Sequence, residues 1–197
     1  MPTSIGLIRF IQLLPSVPVS SDFTLRDLPG SGKRIDILCR DLAACFDWGP
    51  TTWPKENLEF VALFEDKLAI TIRFPSEKTP SGEVEWATVI ADALRGVEYD
   101  FVSVEPTNLL NVILKLKNEP QGNLWILDES GNPLDDVLGP ILSSQNSFML
   151  GDHQGFDSRD LETFENQEIV SVSLGDLSYL SSHCVAAIIS KMERRVA

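Results

Sequence analysis

This chain is poor in sulfur, in histidine and in positive charge, and each shortage removes a class of function. Its three cysteines, Cys39, Cys45 and Cys184, are odd in number and form no CxxC pair. That argues against a disulfide framework or a thiolate zinc site and predicts a reducing, cytoplasmic setting. The two histidines are His153 and His183. The second adjoins Cys184, and neighbouring residues seldom ligate one ion, so no metal is expected. Lys and Arg number 16 against 29 Asp and Glu, a net charge of −13, which counts against a nonspecific nucleic-acid binder. A local basic site survives that argument, because Lys33, Arg34 and Arg40 cluster near Arg26. No apolar run is long enough for a bilayer. Residues 5–14 resemble the core of a signal peptide, but no basic residue precedes them and Arg9 interrupts them, so a first β-strand is the better reading.

Familiar nucleotide motifs are missing as well. Gly30-Ser-Gly-Lys33 fails as a P-loop, since the first glycine of that motif falls at Asp27 and Arg34 replaces its Ser or Thr. There is no GxGxxG for a dinucleotide and no GxSxG nucleophile elbow.

What is present is a chain of ordinary hydrophobic content, 43%, and a length, 197 residues, that suits one domain. Residues 4–14 read as a buried strand, and the Pro- and Gly-rich stretch 15–32 as a loop. A helix follows from near Gly32, with Ile35, Leu38, Leu42, Cys45 and Phe46 on one side, closed by Trp48-Gly-Pro50. Leu58–Phe64 and Leu68–Phe74 flank Glu65-Asp-Lys67 and predict a hairpin. Residues 75–82 read as a loop. Helices are expected over Val84–Leu94 and Asn108–Lys117, and a strand at Leu124–Leu127 is closed by the turn signal Asp128-Glu-Ser-Gly131. Further strands at Phe148–Leu150 and Ile169–Val172 enclose a polar helix around Arg159–Asn166. A last helix runs from about Ser178 to Arg195. Strands alternating with helices predict an α/β fold with a largely parallel sheet.

Near the C-terminus two short apolar runs end in a glycine and a carboxylate, Gly151-Asp152 and Gly175-Asp176. Open α/β sheets bind ligands just beyond such strand ends. Asp152-His153 reads either as an acid/base pair or as a turn carboxylate beside a surface histidine. Asp36 and Arg40 read as an exposed i,i+4 ion pair or as an anion-facing helix start. Cys184, on an apolar helix, reads first as an inert core thiol. From the residues alone the reading stops at a cytosolic α/β protein with a small-molecule pocket near its C-terminus.

Two sets of motifs carry it further. Asp22-Phe-Thr-Leu-Arg-Asp-Leu-Pro-Gly30, followed by Gly32-Lys-Arg-Ile-Asp-Ile-Leu-Cys-Arg40, resembles the N-terminal signature of the TrmY-type tRNA pseudouridine N1-methyltransferases. Gly151-Asp-His153, Val172-Ser-Leu-Gly175 and Ser182-His-Cys184 resemble that family's C-terminal signature in the same order. The resemblance implies one SPOUT α/β-knot domain over 1–197, with a C-terminal trefoil knot and cofactor region over about 122–197. It also implies a homodimer, an S-adenosylmethionine cofactor, and methylation of N1 of pseudouridine 54 in the tRNA T-loop.

By that resemblance Leu127, Gly151, Leu174 and Gly175 contact the cofactor largely through backbone, Asp176, Leu177, Ser178 and Tyr179 continue its loop, and Cys184 packs near its methionine end. Asp152 and Asp36 become candidate bases for the N1 proton, and Lys33, Arg34 and Arg40 candidate RNA contacts. In a site at the dimer interface, Asp36 and Arg40 can come from the partner. The target base must leave its stack to reach the methyl group. One segment departs from the pattern: Asp47-Trp-Gly-Pro-Thr-Thr-Trp-Pro54 stands where archaeal members carry a Ser-His-Gly-Ile-Arg-like stretch. The missing basic contact motivates two alternatives, another RNA acceptor and a non-catalytic cofactor-binding protein of the same fold.

Overall fold

The structure is a computed structural model that describes residues 6–47, 52–75, 77–120, 122–137 and 145–196. The expected helix stop at Trp48–Pro50 and the first two residues of the expected opening strand lie outside the described residues. The chain order is β1 (Ile8–Leu14), α1 (Leu28–Ser31), α2 (Ile35–Leu42), β2 (Leu58–Phe64), β3 (Leu68–Arg73), α3 (Gly82–Leu94) and β4 (Val102–Pro106). It continues with α4 (Leu109–Lys117), β5 (Gly122–Pro133), α5 (Leu134–Val137), β6 (Gln145–Leu150), α6 (Ser158–Asn166), β7 (Val170–Ser173) and α7 (Ser181–Val196).

The strands form one seven-stranded sheet in the order β4-β3-β2-β1-β6-β5-β7. From β2 through β7 along that order every neighbouring pair is parallel, while β3 and β4 add antiparallel to the β2 edge. Strand β1 is central and buried at every position, as a strand covered on both faces must be. Its period of two sorts the core. Phe10 stacks beside Phe60 and Phe148, each at 6.2 Å between ring centroids, on the face covered by Leu38, Phe46, Trp86 and Ile188 of α2, its extension, α3 and α7. Ile11, Val61 and Met149 point to the other face, under Ile113 of α4 and Phe164 of α6. Each such large side chain contributes about 1.5–3 kcal/mol of apolar burial.

The 65–67 hairpin forms, with Glu65 and Asp66 at positive φ (47° and 55°), the backbone that a tight, right-twisted hairpin requires. Arg9 is buried and satisfied by Glu59, by Glu119 at 2.9 Å and by Ser147 at 3.2 Å, so it anchors β1 to its neighbours instead of breaking the strand.

Four expectations are corrected. The stretch 15–32 is not all loop, because Asp27 caps the short helix α1 through Gly30 and Ser31 N–H groups. The first long helix begins at Ile35, after Arg34 in a left-handed conformation (φ 74°). The edge strand β4 is additional, its residues mostly exposed. The Asp128–Gly131 turn signal marks an irregularity inside β5, whose pairing with β7 jumps from Leu127 to Asn132.

Candidate functional site

Strands β5, β6 and β7 lie side by side and end on the same edge of the sheet. Gly151 follows β6 and packs so closely on the next turn that a Cβ there would sit 2.6 Å from the backbone carbon of Gly155. The turn is held by Gly155 N–H donating to the Asp152 carbonyl at 3.0 Å, with Gly155 at φ 80°. Gln12, wholly buried in β1, donates its side-chain N–H to the Gly151 carbonyl at 2.7 Å. Asp152 Oδ1 accepts from Gln154 N–H at 2.7 Å, and Oδ2 stands 3.6 Å from His153 Nδ1. That places Asp152 first as a turn-forming carboxylate, with its side chain only 7% exposed.

Beyond β7, Ser173 Oγ accepts from Gly175 N–H at 3.0 Å and donates to the Gly175 carbonyl at 2.8 Å. Gly175 takes φ 147°, a region that a side chain strains. The chain then runs exposed through Leu177, Tyr179 and Leu180 into α7. Cys184 is half-buried one turn into that helix, and burial, reinforced by the Asp41 and Glu129 charges, pushes its thiol up to about 11. It is therefore a neutral packing group near pH 7 and a poor nucleophile.

The third wall is α2. Asp36 is buried and gripped by both neighbouring arginines: Arg34 Nε and Nη2 donate at 3.0 and 3.1 Å, and Arg40 Nη2 donates at 2.6 Å. The Arg34 contact is bidentate, and Arg40 Nε also donates to the Asp36 carbonyl at 3.3 Å, so both guanidinium planes are fixed. The Arg34 guanidinium, held up chiefly by Asp36, also feels the Asp152 carboxylate. Next along the helix, Asp41 has no exposed surface. Its Oδ1 accepts from Ser181 Oγ at 2.8 Å, and its Oδ2 has no partner among the described residues. Burial raises this carboxyl to about 8.

These walls enclose a cavity of 650 Å³, within the range of small-molecule sites. Leu127, Gly151, Leu174, Gly175, Leu177, Ser178, Tyr179 and Cys184 all line it, as do Asp152, Arg34 and Arg40. The fold thus gathers residues 150 positions apart in one place. Asp176 and Lys33 are exposed and lie outside that lining, and so does Asp36, whose two oxygens are spent on arginines. Arg34 and Arg40 reach the cavity of their own chain. Asp41 and Ser181 are lining residues that the sequence reading leaves out. The available signal for Asp41 is its spacing, since it falls on the apolar stripe of Leu38, Leu42 and Cys45. Among the described residues no group of three or more His, Cys, Asp or Glu side chains is placed to hold a metal ion, and no helix is long and apolar enough to cross a membrane.

Comparisons with known proteins agree with this architecture. The chain is 30% identical, over 94% of its length and 97% of the relative's, to the tRNA (pseudouridine(54)-N(1))-methyltransferase of Pyrococcus abyssi. It is 33% identical, over 85% of its length and 87% of the relative's, to the enzyme of the same name from Thermococcus gammatolerans. Among solved structures it is similar in fold to Archaeoglobus fulgidus Nep1 bound to S-adenosylhomocysteine, with a TM-score of 0.67 and 14% identity over 96% of this chain and 98% of that one. Residues 7–197 match the family described as "Putative SAM-dependent RNA methyltransferase", and the chain belongs to that family.

Proposed function

We propose that this protein transfers a methyl group from S-adenosylmethionine to N1 of pseudouridine 54 in tRNA. The observation that carries this reading is that one cavity joins the glycine-ended strands β6 and β7 to a pair of arginines fixed on Asp36. The relatives' shared name supplies the acceptor. The cavity suits the cofactor in its 650 Å³ volume, in the backbone that Gly151 and Gly175 present to its lining, and in the unpartnered buried oxygen of Asp41.

When bound, S-adenosylmethionine supplies a methyl group activated by a sulfonium. The chain supplies alignment, which converts a two-body collision into a positioned displacement. Leu127, Gly151, Leu174, Gly175, Leu177, Ser178 and Tyr179, which line the cavity, would hold the cofactor, and Cys184 would lie towards its methionine end. Arg34 and Arg40 line the cavity and bind RNA phosphate or the extruded base, their planes held by Asp36; exposed Lys33 adds a phosphate contact outside it. The N1 proton of pseudouridine would have to leave as the new N–C bond forms and the S–CH3 bond of the cofactor breaks to leave its thioether. Asp152, on the cavity wall, takes the role of base, and Asp36 that of the arginine anchor. Asp176 is left with no contact role in this reading.

The exposed apolar rim of Leu177, Tyr179 and Leu180, at 68, 48 and 58%, supports a homodimer that covers it. A cytoplasmic, single-domain enzyme with its last strands and α7 closed into a trefoil knot over about 122–197 completes the reading. Nucleoside mass spectrometry of tRNA from cells with and without the gene tests it. Loss of N1-methylpseudouridine is expected, and loss of a different modified nucleoside would replace the acceptor.

A further inference from the structure

We propose that Asp41 is the counter-charge for the cationic methionine end of the bound cofactor, and that binding drives a proton from this carboxyl into solution. The inference rests on the cofactor reading above and assigns a role to a residue that reading does not use. Asp41 lines the cavity yet has no exposed surface. One oxygen holds Ser181 at the start of α7, and the other has no partner among the described residues. A buried carboxylate oxygen with nothing to accept from carries the full cost of desolvation, so the group is a neutral acid until a cation arrives.

The charges already around it do not fill that role. On its own helix Arg40 favours ionisation, but Arg40 is hydrogen-bonded to Asp36, and Asp36 itself opposes ionisation. Among the described residues, α2 adds the Cys39 thiol, the segment after it the Cys45 thiol and α7 the Cys184 thiol, all raised by burial and by Asp41. His183 of α7 lines the same cavity. Glu83 of α3 stands 3.9 Å from Arg40, and Glu129 of β5 lines the cavity. The charges that act on Asp41 are therefore one guanidinium, Arg40, and one carboxylate, Asp36, which share a hydrogen bond with each other. The deficit at Asp41 is a positive charge, and the methionine end brings an ammonium and a sulfonium against its one carboxylate, so that an ammonium or sulfonium placed beside Asp41, with the ligand's carboxylate turned away, fills it.

Carbon-13 carboxyl NMR of the free protein, followed by saturation with S-adenosylhomocysteine, tests this without turnover. Asp41 is expected to titrate near pH 8 in the free protein and to fall by more than one pH unit when the ligand binds. Calorimetry in buffers of different ionisation heat is expected to show proton release at pH 7, from about 0.4 proton per site for a fall of one unit to about 0.9 for a fall of three or more, and D41N is expected to remove that release.

The ligands separate the two cations. S-adenosylhomocysteine keeps the ammonium and lacks the sulfonium, so release with it assigns the ammonium as partner. Release with S-adenosylmethionine alone assigns the sulfonium. Equal release with 5′-methylthioadenosine, which has neither, overturns the inference. So does S-adenosylmethionine binding with no release, which leaves the cofactor reading standing, or an Asp41 that titrates in the ordinary carboxylate range. Failure of every one of these ligands to bind overturns the cofactor reading and this inference together.

Discussion

Replacing Asp41 with Asn is expected to change how stability depends on pH, by an amount the structure sets. In the folded protein burial raises this carboxyl to about 8, whereas in the unfolded chain it titrates near about 3.9. The folded state therefore holds the proton over a window in which the unfolded state has released it. Stability is highest below the unfolded value and declines as pH rises towards the folded one. With about 1.4 kcal/mol for each tenfold difference, the penalty grows from about 1.5 kcal/mol at pH 5 to about 5.5 at pH 9. D41N removes the ionisation and leaves a buried amide whose unmatched donors cost about 1–3 kcal/mol at every pH. The difference between variant and wild type should move by about 4 kcal/mol in the variant's favour from pH 5 to pH 9. Urea unfolding at pH 5, 7 and 9, with equal m-values required, measures that difference directly. Parallel stability curves for the two proteins would refute the assignment of Asp41 as a neutral buried acid.

Three further outcomes follow from the cavity walls. Gly151→Ala puts a Cβ 2.6 Å from the Gly155 backbone, so the 152–155 turn has to shift; S-adenosylhomocysteine affinity should drop at least tenfold and stability by about 1–3 kcal/mol, both read by calorimetry and thermal melting. Arg34→Lys loses the two-pronged contact with Asp36 and should weaken tRNA binding several-fold in filter-binding assays while cofactor affinity stays within twofold; equal loss of both would undo the division between an RNA-facing and a cofactor-facing wall. In the free protein at pH 8 iodoacetamide should label Cys184 slowly, given a thiol at about 11, and leave the buried Cys39 and Cys45 unlabelled; bound S-adenosylhomocysteine should suppress the Cys184 label, as peptide mass mapping would show.

The elements legible in the sequence are those whose periodicity reports burial. The apolar runs of β1 and β2, the stripe of α2 and the hairpin at Glu65-Asp66 are all set by local chemistry. Strand β4 escapes because an exposed edge strand has little apolar pattern to read. The signal at Asp128–Gly131 is real local turn chemistry, but pairing with β7 overrides it and lets the strand resume at Asn132. In the site, the glycine-ended strands point to the pocket, and the family resemblance supplies the contacting residues. Asp36 looks from its spacing like a surface ion pair and turns out buried under two guanidinium groups. Asp41 is the harder case: a carboxylate on an apolar stripe announces a conflict, but only the fold places its missing partner at the cavity, through Ser181 of a helix 140 positions away.

The most direct test of the central claim is methyl transfer by the purified protein to a T-loop stem-loop RNA carrying pseudouridine at position 54, with uridine at that position as the control, read by nucleoside mass spectrometry. N1-methylpseudouridine formed only in the pseudouridine RNA and only with S-adenosylmethionine present is the predicted result. Cofactor bound but neither RNA methylated, or methyl groups appearing at another nucleotide, would contradict it.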